Sequence, residues 1–511
     1  MAVPRQPLRR RRARVALLGA AVLVAVAAAI AWATRPGAPP SDGGPAPIAD
    51  VEADSRAQPG AGEHAAAPGP ATGERRRDAD RATRVPDVPA AWQRIHDQAA
   101  RWPAPDDAPD VGTETDLPTV PAARMRDTIG VNVDLWRTEW GYRDFAGIVR
   151  RVEELNLRHA RVNMQSRATF GLARMQQLGR AGVRLDVIMG DAYGRYDTAP
   201  FSELERRLHA SVLPYVDAVE GTNEADLAQQ AGWVRAAREH QRQVVGAVAG
   251  ERADPIGVIA PSVGRFASIE ALGDVADLAD AGNAHAYASG EEPGAALGQW
   301  LDALSGQVPD GPTIVTETGF MTDTRQRKGH TPTSEQAAAA YVPRTILEAI
   351  RRGVPQVYLY ELADRWNDPF GVDTAAHFGL LDERLRPKPA WDALVRLQRA
   401  LLDDGRPDAD VEPVRATIEA APHDLRVLAL RHRDGTVALA LWRAAKVWSP
   451  EQDRDLDVPV EPVRLRLPAD VGGALATDLV TGDRRRLPSG ERMELELTGA
   501  PVVVTGLPPS G

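Results

Sequence analysis

Two glutamates carry the most chemical information in this chain. Glu224 lies in the stretch Gly221-Thr222-Asn223-Glu224-Ala225-Asp226, and Glu317 in Thr316-Glu317-Thr318-Gly319-Phe320. Each follows an apolar, strand-like run and stands where that run gives out. Two carboxyl groups facing one hollow can cleave an acetal: one protonates the leaving oxygen while the other attacks the anomeric carbon. The attacking group must be ionised, so donors near it should keep its pKa low, whereas the other must still hold a proton near neutral pH. Taken alone, either residue also reads as a solvated glutamate beside a helix start.

The elements that position them follow a regular rhythm. Strand runs are expected at Thr128–Val133, His159–Asn163, Arg184–Met189, Val216–Glu220, Ile256–Ala260, Ala281–Tyr287, Thr313–Thr316 and Gln356–Glu361. Helical periodicity separates them at Tyr142–Leu155, Gly171–Ala181, Phe201–Leu213, Ala228–Gly250, Ile269–Leu278, Gly294–Leu304 and Ser334–Arg352, with a closing helix at Pro389–Leu402. Eight strand-helix units within about 275 residues predict an α/β fold, a (β/α)8 TIM barrel. The C-terminal ends of its strands open on one face. Strands four and seven lie across that mouth from each other, which would bring Glu224 and Glu317 to about 5–5.5 Å, the spacing of a retaining mechanism.

The Asn-Glu pair closing strand four and the lone glutamate closing strand seven resemble glycoside hydrolase clan A, the barrel superfamily of cellulases, mannanases, xylosidases and β-galactosidases. The resemblance spans approximately Arg126 to Leu402. It implies a retaining glycosidase with Glu224 as acid/base, Glu317 as nucleophile and Asn223 as partner of the sugar 2-hydroxyl. Arg161 on strand two resembles the clan's arginine near the nucleophile, although a structural ion pair is the other reading. His285 and Tyr287, two apart on strand six, point the same way; the clan's tyrosine there touches the nucleophile, and core packing is the alternative. Asn132 on strand one and Asp191 after strand three are further candidates. Trp136, Trp140, Tyr193 and Trp366 fall in loops on the active face, where a ring could stack on a sugar or simply pack the loop. The clan often carries a tryptophan ending strand eight. This chain has Tyr358-Leu359-Tyr360-Glu361-Leu362-Ala363-Asp364 there, with Trp366 beyond.

Arg325, Arg327, Lys328 and His330 form a basic group after strand seven, read as a solvated cluster or as a contact for an acidic sugar. Strand one reads Val131-Asn132-Val133, not His-x-His, and the ten histidines show no ligand spacing, so neither metal nor cofactor is implied. The expected partner is an oligo- or polysaccharide. Two rival functions share these residues: a non-catalytic glycan-binding or cell-wall interaction protein on this scaffold, and a transglycosylase, which forms the same intermediate.

Beyond Asp404 the pattern changes to short alternating runs at Leu425–His432, Thr436–Trp442, Val463–Leu467, Arg492–Leu497 and Val502–Thr505, a predicted C-terminal β-sandwich. Its Trp442 and Trp448 are too few to outline a sugar-binding strip. At the other end, Arg5, Arg9, Arg10, Arg11, Arg12 and Arg14 precede an uncharged apolar run from Val15 to about Thr34. This is long enough to cross a bilayer, roughly 20 residues, and the arginines predict a cytoplasmic N-terminus and an exported remainder. Ala31-Trp32-Ala33 resembles a cleavage site, so the segment is either a signal-anchor or a signal peptide, and the protein membrane-anchored or secreted.

The expected organisation is therefore 1–34 membrane or signal helix, 35–88 disordered Pro/Gly/Ala/Arg-rich linker, 89–125 neck helix and lead-in, 126–403 barrel, and 404–511 sandwich. The chain has no cysteine, which excludes disulfides and thiolate chemistry. Removing the six N-terminal arginines takes the formal charge from −10 to −16, a balance that argues against nucleic acid.

Overall fold

The computed structural model describes residues 88–509, apart from 104–105, 166–168, 194–198, 250–254 and 327–328. The apolar run at 15–34 and the linker up to residue 87 lie outside the described residues, as do Arg327 and Lys328. Among the described residues no helix is long and apolar enough to cross a membrane.

Helix α1 (Val88–Ala99), strands β1 (Glu114–Leu117) and β2 (Thr119–Pro121), and the short helix α2 (Arg124–Thr128) lead into the barrel. Its strands are β3 (Ile129–Asn132), β4 (His159–Asn163), β5 (Arg184–Ile188), β6 (Val216–Glu220), β7 (Gly257–Ile259), β8 (Gly282–His285), β9 (Thr313–Thr318) and β10 (Val357–Leu359). Between them run α3 (Phe145–Glu154), α4 (Thr169–Arg180), α5 (Phe201–Arg207), α6 (Trp233–Val248), α7 (Phe266–Leu272), α8 (Pro293–Leu304) and α9 (Glu335–Arg351), and α10 (Pro389–Ala400) follows β10. The strands pair in parallel in the order β7-β6-β5-β4-β3-β10-β9-β8. A parallel bridge from Ile259 to Ala281 closes the ring. Such strands read as apolar runs because helices cover the outside while side chains fill the inside.

Strand limits match the expected ones within two residues. Helices depart more, where the backbone stops them. The helix expected over Phe201–Leu213 ends at Arg207 and gives way to a π turn and a 3-10 turn, since Pro214 has no amide hydrogen to extend the ladder. The helix expected from Ala228 begins only at Trp233, because Gln229 and Gly232 take φ of 53° and 80°.

Helix α1 closes the barrel floor. Its Trp92, 3% exposed, packs with Ala218, Ile259, Ala281, Ile314 and Tyr358 as a small separate core. Gly257, opening β7, makes room for it: a Cβ there would come 2.4 Å from the indole. Arg94 pairs with Asp408, and Gln98 donates to the carbonyls of Asp408 and Ala409. Chain from before and after the barrel thus meets beneath it.

The sandwich adds β11 (Val414–Ala420), β12 (Leu425–Arg431), β13 (Val437–Arg443), β14 (Trp448–Ser449), β15 (Arg454–Asp455), β16 (Glu461–Arg466), β17 (Leu475–Asp478), β18 (Arg484–Arg486), β19 (Arg492–Leu497) and β20 (Val502–Leu507). Its two sheets run β1-β11-β16-β19 and β18-β17-β20-β13-β12-β2. Two strands therefore come from the lead-in ahead of the barrel: β1 pairs antiparallel with β11, and β2 parallel with β12. Between the sheets lie Ile418, Leu425, Leu439, Leu465 and Leu495. The outer face of the larger sheet, with Leu428, Leu430, Ala440 and Trp442, joins the barrel's own core. There Trp442 Nε1 donates to Glu348 Oε1 at 2.8 Å, Arg351 donates to the Val427 carbonyl at 2.6 Å, and Arg344 donates to the carbonyls of Ala445 and Gly499. Trp442 and Trp448, at 0% and 2% exposure, are buried.

Candidate active site

Arg161, buried on β4, is the hub of the barrel mouth. Its Nη1 donates to Glu317 Oε1 at 2.6 Å and to Asn132 Oδ1 at 3.0 Å. Nη2 donates to Asn223 Oδ1 at 2.7 Å and Glu220 Oε2 at 3.2 Å, while Nε donates to the other Glu220 oxygen. The guanidinium is thus planted between two carboxylates, bidentate to one and single to the other, which fixes its plane.

Glu317, 8% exposed on β9, also accepts Tyr287 Oη on its second oxygen at 2.7 Å. Burial pushes its carboxyl up, but nearby His285 and Arg161 and the hydrogen bonds from Tyr287 and Arg161 outweigh that. They hold its pKa below the ordinary glutamate value. Burial and the Glu317 charge push the Tyr287 phenol far above its usual value, so it stays a neutral donor.

Glu224 follows β6 in the left-handed region, φ 46°, which is uncommon for a residue with a side chain. Its backbone N donates to Ser262 Oγ at 3.1 Å, and that hydroxyl donates to Asn223 Oδ1 at 3.2 Å. With Oδ1 accepting from both Arg161 and Ser262, the Asn223 amide nitrogen is directed away from Arg161. The Glu224 side chain is 22% exposed against 11% for Glu317, so it is the wetter of the two. His285 Nδ1 sits 2.8 Å from Glu224 Oε1 and 3.6 Å from Glu317 Oε2. Burial lowers the His285 pKa, yet the charge of Glu317 and the bond and charge of Glu224 prevail and raise it.

An oxygen from each glutamate and a His285 nitrogen all lie within 4.8 Å of one another. This is close to the spacing of retaining carboxyl pairs and well short of the roughly 6.5–9.5 Å of inverting ones.

Beside Glu317 stands an aromatic wall. Tyr287 lies 4.6 Å from His330, 5.8 Å from Phe378 and 6.3 Å from Tyr360, ring to ring. Burial lowers the His330 pKa, which favours the neutral ring. Two aromatics after β10, Tyr360 and Phe378, reach this wall, whereas Trp366 donates its indole N–H to Asp373 Oδ2 at 2.7 Å within its own loop.

Asn132, Arg161, Asn223, Glu224, His285, Tyr287 and Glu317 are therefore brought into one bonded network. Three other residues singled out from the sequence are engaged in the surrounding loops. Asp191 accepts from Thr222 Oγ1 at 2.8 Å. Trp136 donates to the Asn163 carbonyl at 2.8 Å and packs 5.7 Å from Phe170, and Trp366 behaves as described. Of the basic group, Arg325 bonds both oxygens of Asp323 and the carbonyls of Asp368 and Pro369, stitching the loops after β9 and β10 together.

The site also draws in residues not singled out from the sequence: Glu220, Asn283, Ser262, Tyr360 and Phe378. Asn283 Nδ2 donates to Glu220 Oε2 at 2.8 Å and Thr316 Oγ1 donates to Asn283 Oδ1 at 2.5 Å, which extends the network under the mouth. Polar residues interrupting apolar strand runs, as Glu220 and Asn283 do, were the signal available for those two.

Among the described residues, two clusters have ligand-like spacing: Glu224, His285 and Glu317, and Asp323, Asp368 and His377. In the first, Arg161 and Tyr287 already bond both Glu317 oxygens. In the second, Arg325 bonds both Asp323 oxygens. A metal ion would compete with a guanidinium in either place.

Solved glycoside hydrolases show the same barrel fold. A family 39 glycoside hydrolase from the gut symbiont Bacteroides cellulosilyticus WH2 matches with TM-score 0.51 and 16% identity, over 76% of this chain and 82% of its own. A glucosidase from Croceicoccus marinus matches with TM-score 0.52 and 12% identity, over 77% and 100%. A monomeric β-xylosidase from Caulobacter crescentus CB15 matches with TM-score 0.50 and 16% identity, over 77% and 98%. No protein-family model and no curated protein matches the sequence.

Proposed function

We propose that this protein is a retaining glycoside hydrolase that cleaves a β-linked glycan outside the cytoplasm, with Glu317 as nucleophile and Glu224 as acid/base. One observation carries the reading: oxygens of the two glutamates lie within 4.8 Å, and the buried member is clamped by Arg161 and Tyr287.

In the first step the ionised Glu317 oxygen bonds the anomeric carbon, Glu224 gives its proton to the glycosidic oxygen, and the aglycone leaves. The Glu317 ester then carries no charge, and Arg161 keeps its two bonds to Glu220, so the hub does not move. In the second step Glu224, now a carboxylate, takes a proton from water as its oxygen bonds the same carbon, and Glu317 departs ionised. Asn223, turned by Arg161 and Ser262, is the group for the sugar 2-hydroxyl.

The uncharged wall of Tyr287, Tyr360 and Phe378, and the engagement of Arg325 with Asp323, favour a neutral pyranose. The neighbours named as a β-xylosidase and a glucosidase make xylosides and glucosides the first substrates to try. Export rests on the arginine-flanked apolar run at 15–34.

A panel of aryl β-glycosides and polysaccharides, assayed with wild type, Glu224→Ala and Glu317→Ala, tests the assignment. Both variants should lose roughly two to four orders of magnitude on glycans. Azide should restore turnover of activated aryl glycosides, giving β-azide with Glu224→Ala and α-azide with Glu317→Ala. Full activity in either variant refutes the assignment.

A further inference from the structure

Beneath the network lies a carboxyl group with no evident job. Asp186, on β5, is fully buried, and neither of its oxygens has a hydrogen-bond donor. It pairs in register with Arg161 on one side and Ala218 on the other, and the side chain its carboxyl meets is Glu220. Asp217 and Arg161 also act on it, and Tyr358 faces it from β10. Arg161 does not bond it: every guanidinium nitrogen is taken up by Glu220, Glu317, Asn132 and Asn223. An ionised carboxylate here would be an unpaired buried charge pressed against another, which costs far more than protonation does.

We propose that Asp186 is a protonated positioning residue, whose hydroxyl donates to Glu220 so that Arg161 keeps enough of its charge for Glu317. The inference rests on Glu317 being the nucleophile. Glu220 holds Arg161 in place, yet an unassisted Glu220 would also compete with Glu317 for the one guanidinium. A proton shared from below relieves that competition without adding charge. Burial, then the Glu220 charge, pushes the Asp186 carboxyl well above the usual aspartate range, in line with this geometry.

Infrared spectroscopy of the full chain at neutral pH should show the carbonyl stretch of a protonated buried carboxyl, lost in Asp186→Asn. Asp186→Asn, which keeps a neutral donor at the same place, should retain kcat/KM within about 3-fold and an unmoved acid limb. Asp186→Ala should move the acid limb up by about 0.5–1 pH unit, a loss of roughly 3- to 10-fold on the acid side. A merely structural role would lower rates at every pH without moving the limb. Absence of the infrared band, or an Asn variant that behaves like the Ala variant, overturns the proposal. The spectroscopic result does not depend on turnover. A wrong nucleophile, which would show as activity in Glu317→Ala, is therefore separable from a wrong Asp186.

Discussion

Tyr287→Phe isolates one contribution to the ionisation of Glu317. The substitution removes a single oxygen that donates at 2.7 Å to Glu317 Oε2 and keeps the ring that packs on His330 and Phe378. A hydrogen bond to a charged group contributes about 1.5–3 kcal/mol, and one pKa unit corresponds to about 1.36 kcal/mol. The Glu317 pKa should therefore rise by about 1–2 units. The bond favours the charged form, so its loss makes ionisation harder, and the acid limb of kcat/KM moves to higher pH. The basic limb should not move on account of Tyr287, because the phenol is held neutral. The assay is kcat/KM against pH on an activated aryl β-glycoside, with circular dichroism to confirm the fold. A stability readout has the same origin. Glu317 has a depressed pKa in the folded state, so its stabilising contribution is present above the unfolded pKa and disappears as pH falls through the folded one. The wild-type advantage over the variant should vanish at low pH. An acid limb that stays put, or moves down, would refute the idea that Tyr287 helps keep Glu317 charged.

Other consequences are equally accessible. Trp92→Ala should destabilise the chain by about 3–5 kcal/mol in denaturant unfolding, since it empties the barrel floor. Gly257→Ala should cost about 1–3 kcal/mol through its clash with the indole, and that cost should disappear in the Trp92→Ala background, a coupling a double-mutant cycle reads directly. Glu361 is pushed up to about 7 by burial, with Arg365 opposing and Asp134 reinforcing the rise. A carboxyl raised on folding stabilises relatively at low pH, so stability should fall by up to about 3 kcal/mol from pH 4.5 to 7.5 on its account. Glu361→Gln should flatten that slope in chemical denaturation across the range.

The barrel was legible because each strand and helix announces itself locally, by run length and period, and because parallel strands need no knowledge of a distant partner. Glu224 and Glu317 were legible for the same reason: each sits at a strand end, and topology alone sets those ends face to face. What escaped was non-local. Glu114–Leu117 is a short, mostly polar segment that becomes a strand only because β11, some three hundred residues on, offers it an edge. Trp92 lies in a segment expected only to be a neck helix; nothing nearby says that it fills a barrel. Tyr360, His330 and Phe378 come from two loops and converge only in space. Helix ends moved where Pro214, Gln229 and Gly232 imposed their own backbone preferences against the apolar period.

The route by which the polypeptide enters the folded body sets an orientation. Residue 88 begins a helix lodged against the underside of the ring, while the paired glutamates open at the top. The chain thus enters the folded body on the face opposite the cleft, and whatever sequence precedes residue 88 joins the molecule on the side away from the paired carboxylates.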